Sequence, residues 1–169
     1  MFIAILQHTP VWVWGLLAAL IALGLWQTRD REMSLTRVTV LPLVLIALSA
    51  SGVLSAFGHL PVAVGGWAAG VGAALTFGRH FIAVRGARWS AQTGLLHVPG
   101  SWLPLAMILG LFCVKYFAGV NLAMHPALAT DATFAGLCSL AYGTFSGLFF
   151  ARALSLRGVA SASRGLTPA

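Results

Sequence analysis

Five uninterrupted apolar runs constrain this chain more than any other feature of its sequence. They cover residues 10–26, 38–57, 61–77, 102–124 and 132–151. A helix needs about 17–25 mostly apolar residues to cross about 30 Å of hydrocarbon, and each run has that length. A transmembrane β-barrel would instead show alternating segments of about ten residues. The runs therefore predict an all-α integral membrane protein, a five-transmembrane-helix bundle in a single transmembrane domain over residues 1–169.

The composition excludes a water-soluble domain. Only 8% of the residues are charged and 59% are hydrophobic, whereas soluble domains carry about 25% charged residues. The net charge of +7 does not indicate a nucleic-acid partner, because the basic residues stand in small groups between the apolar runs and form no basic helix face. The expected partner is the lipid bilayer.

The arginines indicate how the chain is oriented in the membrane. All nine fall on one side of a five-span chain, in segments 27–37, 78–101 and 152–169. The three segments on the other side contain neither arginine nor lysine. Because positive residues mark the cytoplasmic side, we expect a multi-pass protein of the plasma membrane with its N-terminus outside and its tail from residue 152 in the cytoplasm.

The cytoplasmic segment between the third and fourth helices is the least apolar part of the chain. Residues 88–90 and 95–98 are β-prone and flank a turn that contains Gly94, which is typical of a short β-hairpin. A two-stranded hairpin is marginal alone in water, so we expect it to rest on the helix ends. Continuation of the third helix to about Val84 is a compatible alternative. The mixed-charge run 29–32 is interpreted as a solvated loop.

Prolines and one short connection help to define the helices. Pro10, Pro42, Pro61 and Pro104 lie in or near the first turn of their runs, where proline is tolerated because the early N–H groups have no intrahelical partner. The link at 58–60 is so short that the second and third helices are expected to be antiparallel neighbours.

Two helices carry a small residue at every fourth position. These residues are Gly66, Gly70, Ala74 and Gly78 in the third helix and Ala135, Ser139, Gly143, Gly147 and Ala151 in the fifth. Small residues let helix backbones approach closely in lipid. We interpret the two ridges as internal packing seams. The alternative is a face for a homodimer or for a partner membrane protein.

Two segments carry a resemblance to a known family. Residues 98–105 read Val-Pro-Gly-Ser-Trp-Leu-Pro-Leu and residues 112–116 read Phe-Cys-Val-Lys-Tyr. They resemble a small family of bacterial inner-membrane proteins that carries a domain-of-unknown-function label, most closely over residues 88–125. The resemblance implies a bacterial inner-membrane location and a compact helical bundle. It implies no reaction, ligand or catalytic residue.

Lys115 is the residue most suggestive of a site, because it lies near the middle of the fourth run. A lysine there costs about 2.5–3.5 kcal/mol on insertion scales. It could form a ligand, ion or proton site with Ser139, Tyr142 and Ser146, which share one face of the fifth helix. The alternatives are a lysine whose flexible stem reaches the membrane interface, one that caps helix carbonyls, and a neutral lysine with a lowered pKa.

A metal site is the other arrangement that the sequence suggests. His8, His59 and His125 fall on the outer side with Asp131, and such side chains can bind zinc or another transition metal. Their spacing contains no ligand motif, and each histidine stands at the edge of an apolar run. We therefore expect no metal and no cofactor.

The small number of acidic residues narrows the range of functions that the chain could have. Only Asp30, Glu32 and Asp131 are acidic, which argues against carboxylate-based hydrolysis and metal-dependent phosphoryl transfer. We expect a non-enzymatic polytopic membrane protein, either an accessory subunit or a lipid-interacting bundle. The alternative is a small transporter or permease that uses Lys115 as its intramembrane ligand or proton site.

Overall fold

The computed structural model describes residues 9–82, 84 and 86–165. Its five α-helices are α1 (Val11–Trp26), α2 (Leu35–Phe57), α3 (Pro61–Ile82), α4 (Leu103–Met124) and α5 (Ala132–Gly165), and its strands are β1 (Arg31–Met33), β2 (Arg88–Ser90) and β3 (Leu95–Val98). A 3-10 helix at Pro126–Thr130 joins α4 to α5. Four helices, α2 to α5, are long and apolar enough to cross a membrane. Helix α1 is equally apolar but has 16 residues.

Helices α3 and α5 form the most closely packed pair, and their small-residue ridges face each other. A Cβ atom added at Gly70 would overlap the backbone of Leu140, and one added at Gly143 would overlap the Trp67 carbonyl. The interpretation of the ridges as an internal packing seam is therefore confirmed. A homodimer or a partner membrane protein bound through small-residue faces stays a prediction.

Helix α2 lies beside this pair, as the short connection predicts. It contacts both α3 and α5. The Trp67 indole N–H donates a hydrogen bond to the Ser49 hydroxyl at 3.2 Å, which links α3 to α2. At the C-terminal end of α2, the Phe57 ring meets the Phe134 ring of α5 edge to face, with the ring centres 6.2 Å apart. The three helices thus pack together in the bundle.

Helix α2 begins before residue 38, the start that the sequence predicts. The helix begins at Leu35 because Ser34 caps it, with its hydroxyl accepting the Arg37 backbone N–H at 3.4 Å. Pro42 consequently lies inside the helix and not in its first turn. A proline there has no N–H for the Val38 carbonyl. The other four helices begin within one residue of the predicted positions.

The predicted hairpin is confirmed. Strands β2 and β3 are antiparallel with Trp89 opposite Leu96, and Gly94 in the turn has a φ of +66°, a value that suits glycine because it has no Cβ. Helix α3 also continues past residue 77 to Ile82, close to the alternative end at Val84. Both expectations for this segment therefore hold together.

A third strand was not predicted. Strand β1 pairs with the other edge of β3, with Glu32 opposite His97, so the sheet order is β1-β3-β2. The Asp30 carboxylate accepts the Gly100 backbone N–H at 2.7 Å. The interpretation of residues 29–32 as a solvated loop was wrong, because this short segment finds its hydrogen-bond partners far away in sequence.

Helix α5 extends well beyond its predicted end at Ala151 and continues to Gly165. The extension is amphipathic: Ala153, Leu156 and Ala160 are buried at spacings of three and four and pack with the sheet and the first turn of α2. A helix stabilised by one apolar stripe can continue where overall hydropathy falls. The sheet thus rests on the end of the bundle formed by this extension, which we call the sheet end.

Candidate functional site

A cavity of about 940 Å³ lies between α1, α2, α4 and α5. Its volume is near the upper end of the range for ligand pockets, about 300–1,000 Å³. Helix α1 touches α4 at both of its ends. Gly24 lies against Leu105, and the hydroxyls of Thr9 and Tyr116 are 2.7 Å apart. Because α1 is held to α4, its other face becomes a wall of the cavity.

The walls of the cavity are almost wholly apolar, and part of the cavity opens to the surface. The lining residues recur at spacings of three and four, as expected of single helix faces. Examples are Leu16, Leu20 and Leu23 on α1, Leu41 and Leu45 on α2, and Ile108 on α4. The lining residues of α2 and α5 all lie toward the sheet end, where the four helices enclose the cavity together.

Three arginines line the cavity at the sheet end: Arg31, Arg37 and Arg152. Arg31 is half-buried, and its guanidinium donates to the Gln27 side-chain oxygen at 3.1 Å and to the Met33 sulfur at 3.2 Å. Burial lowers the pKa of Arg31 from its usual value. Arg37 is exposed in the first turn of α2. The apolar cavity therefore ends in a strongly positive group, which we call the arginine cluster.

Arg152 is the most unusual member of this cluster. It is 8% exposed, and within the described part of the chain its side chain has neither a hydrogen bond nor an ion pair. It lies close enough to Arg31 for the two positive charges to repel each other. Among the described residues that line the cavity, none carries a carboxylate. A buried charge is costly when it is unpaired, so this end of the cavity is suited to bind an anionic group.

Lys115 lines the same cavity from α4. Its ammonium nitrogen lies 4.6 Å from the centre of the Tyr142 ring, within the range of a cation–π interaction. A Cβ atom at Gly52 would lie 3.7 Å from the same nitrogen. The ammonium is therefore directed toward α2 and α5. Its partner is the face of the tyrosine ring, whereas the sequence suggested side-chain oxygens.

The two serines predicted to accompany Lys115 have other surroundings. The Ser146 hydroxyl donates to the Tyr142 backbone carbonyl at 2.9 Å. The Ser139 hydroxyl is buried and has no hydrogen-bond partner within residues 9–82, 84 and 86–165. Neither serine lines the cavity. The structure thus brings Lys115 and Tyr142 together, whereas neither serine hydroxyl is hydrogen-bonded to the Lys115 ammonium.

The residues considered for a metal site take other positions. His59 and His125 are exposed, and His8 lies outside the described residues. The Asp131 carboxylate accepts the Phe134 backbone N–H at 2.6 Å and thereby caps the start of α5. Among the residues that the structure describes, no group of three histidine, cysteine or acidic side chains could hold a metal ion.

The arginine cluster is the feature that sequence reasoning missed. The arginines were interpreted only as a signal of membrane orientation. One signal was available: Arg31 and Arg37 flank the start of the second helix, and Arg152 follows directly after the fifth apolar run. All three were therefore expected on one side, but their convergence on a cavity depends on how α1 packs.

Comparison with protein families shows what the chain is similar to. The sequence profile of a family described as a family of unknown function, DUF6622, matches residues 1–165. The predicted resemblance to an uncharacterised family is thereby confirmed. Comparisons with curated proteins and with solved structures find no match. The function of the cavity therefore has to follow from its own geometry and chemistry.

Proposed function

The chain belongs to this family of unknown function, and we propose that it is a non-enzymatic multi-pass membrane protein that binds a membrane lipid in its interhelical cavity. In this arrangement five helices cross the bacterial inner membrane, with the N-terminus outside. The sheet, the arginine cluster and the extension of α5 face the cytoplasm. The asymmetric distribution of arginine supports this orientation.

The surface of the bundle supports insertion in a bilayer. Leu48 on α2, Phe77 on α3 and Leu137 on α5 each expose more than 60% of their area, and large apolar exposure of this kind would be costly in water. Trp26 and Trp102 are exposed at the sheet end. Tryptophan is enriched at membrane interfaces, so these two residues fit the level of the lipid headgroups.

The proposal of lipid binding rests on the size and the lining of the cavity. A chamber of about 940 Å³ with apolar walls suits an acyl chain, because each buried methylene contributes about 0.8 kcal/mol. Its partial opening to the surface gives such a chain a route from the bilayer. Along α4 the lining residues run from Pro104 to Met124, a length of about 30 Å at 1.5 Å per residue. This length matches the thickness of the hydrocarbon layer.

A pair of matched tryptophan substitutions tests this function. Leu45→Trp puts a larger side chain into the cavity, whereas Leu54→Trp changes a residue of the same helix that is 57% exposed and outside the cavity lining. Native mass spectrometry of protein purified in mild detergent counts the lipids retained. We expect one retained lipid in the wild type and in Leu54→Trp, and its loss in Leu45→Trp. Equal retention in all three proteins would contradict lipid binding in the cavity.

A second candidate function is a small transporter or permease that uses Lys115 as an intramembrane ligand or proton site. The observation that favours it is the position of the Lys115 ammonium in the wall of the same cavity, against Tyr142. Decay of a pH gradient in proteoliposomes tests the proton branch. Transport predicts faster decay with the wild type than with Lys115→Met, and equal decay excludes proton transport through this residue.

A further inference from the structure

We infer that the lipid bound in the cavity is an anionic phospholipid whose phosphate lies between Arg31, Arg37 and Arg152. This inference rests on the proposed function and adds the class of headgroup to it. It also assigns the lipid to the leaflet at the sheet end, because the arginine cluster lies there. Basic sites between membrane helices on the cytoplasmic side are suited to such headgroups.

Arg152 is the residue that points to an anionic ligand. It is 8% exposed, and it lines the cavity. Its guanidinium has no hydrogen bond or ion pair to any residue that the structure describes. A planar guanidinium offers two parallel N–H groups that match two phosphate oxygens. A phosphate in the cavity would supply the partner that the protein does not.

Arg31 and Arg37 make the site specific for negative charge. Arg31 is held in place by its hydrogen bond to Gln27, so it is preorganised. Its repulsion with Arg152 is relieved by an anion placed between the two guanidiniums. Arg37 adds a third positive charge at the same end of the cavity. A zwitterionic lipid would bring its own cation to this cluster and is therefore disfavoured.

The continuity of the cluster with apolar walls indicates a lipid and not free phosphate. Arg37 is followed by Val38, and Arg152 is followed by Ala153, and all four residues line the cavity. From there the lining continues along α2 through Leu41. If the arginines hold the phosphate of a phospholipid, its acyl chains are directed along the apolar walls between α1 and α2. This arrangement is the one that an amphipathic molecule requires.

The test compares two lipids and one soluble ion on the full-length protein in mild detergent. Phosphatidylglycerol and phosphatidylcholine are titrated separately, and bound lipid is counted by native mass spectrometry. We expect phosphatidylglycerol to bind about tenfold more tightly, as one unopposed charge beside several arginines predicts. Millimolar inorganic phosphate should not displace it. Displacement by phosphate would assign the cluster to a free anion and overturn the lipid inference.

Substitutions within α5 locate the headgroup. Arg152→Gln should reduce phosphatidylglycerol binding to the level of phosphatidylcholine. The control is Arg157→Gln, which changes an exposed arginine of the same helix that does not line the cavity and should preserve the preference. If Arg152→Gln does not yield monodisperse protein, Arg37→Gln at an exposed position should weaken the preference instead. An undiminished preference in the folded variants would overturn the assignment.

The outcomes separate this inference from the proposed function. Equal binding of both lipids to the wild type, with both lost in Leu45→Trp, would refute the headgroup preference and leave lipid binding in the cavity intact. If neither lipid binds, both proposals fail. A tenfold preference that depends on Arg152 and is insensitive to phosphate supports both.

Discussion

Lys115 shows how one charged residue is accommodated deep in an apolar helix. The cost of an ammonium in hydrocarbon predicts from sequence that it turns toward other helices, and the structure places it against Tyr142 and near Gly52. The sequence placed Tyr142 among the three candidate partners, but it did not predict that the contact is made through the face of the ring. Helical spacing puts Ser139, Tyr142 and Ser146 on one face, but packing against α3 and α4 decides which of them faces the lysine.

The contact between Lys115 and Tyr142 is open to a double-mutant cycle. Combining Lys115→Met with Tyr142→Leu should reveal a coupling of about 0.5–2 kcal/mol, the usual strength of a cation–π interaction. Tyr142→Phe is the control, because it keeps the aromatic face and should retain most of the coupling. The free energy of unfolding in detergent is the measurement. Additive effects of the two substitutions would contradict the interaction.

Asp131 provides a second prediction at the scale of one residue. Its carboxylate accepts the Phe134 N–H, so Asp131→Ala should lower the free energy of unfolding by about 0.5–2 kcal/mol through loss of a helix cap. Asp131→Asn keeps an acceptor oxygen and should lose less. Thermal unfolding of the two variants in detergent compares them. Equal losses would mean that capping is not the role of this side chain.

At the scale of elements, local patterns were predictable and distant pairings were not. The β2–β3 hairpin follows from two β-prone segments around Gly94. Strand β1 pairs with residues more than sixty positions away, and three residues of mixed charge give no strand signal. The extension of α5 was missed for another reason. Its stripe of Ala153, Leu156 and Ala160 continues after the overall hydropathy has fallen.

The seam between α3 and α5 makes a prediction about two neighbouring glycines. A Cβ at Gly70 would overlap the α5 backbone, whereas a Cβ at Gly72 meets nothing within 4 Å. Gly70→Ala should therefore cost about 1–3 kcal/mol through overpacking. Gly72→Ala on the same helix should be neutral or stabilising. Melting temperatures in detergent provide the test, and equal effects would show that the ridges do not meet.

At the scale of the whole molecule, the bundle was predictable and the cavity was not. Five apolar runs predict five helices, and two small-residue ridges predict internal packing seams, but the pairing of α3 with α5 emerges only from the structure. The cavity depends on the position of α1, which is held to α4 through Gly24 and Thr9. These contacts join residues about eighty to one hundred positions apart and carry no motif. The convergence of the arginines follows from that packing.

The proposed orientation predicts which connections are accessible from outside the cell. In a background with Cys113→Ala and Cys138→Ala, single cysteines replace His125 in the outer connection or Gln92 in the hairpin turn, both of which are exposed. A membrane-impermeant maleimide should label His125→Cys in intact cells and Gln92→Cys only after lysis. The opposite pattern would reverse the orientation and place the arginine cluster outside.

Photo-crosslinking tests the central claim, that an anionic phospholipid occupies the interhelical cavity. Phosphatidylglycerol with a diazirine in its acyl chain is added to the purified protein, and the crosslinked residues are mapped by mass spectrometry. We predict crosslinks at cavity residues such as Leu20 and Leu41, removed by excess unlabelled phosphatidylglycerol and by Leu45→Trp. Crosslinks confined to outward-facing residues such as Phe77, and insensitive to the competitor, would contradict the account.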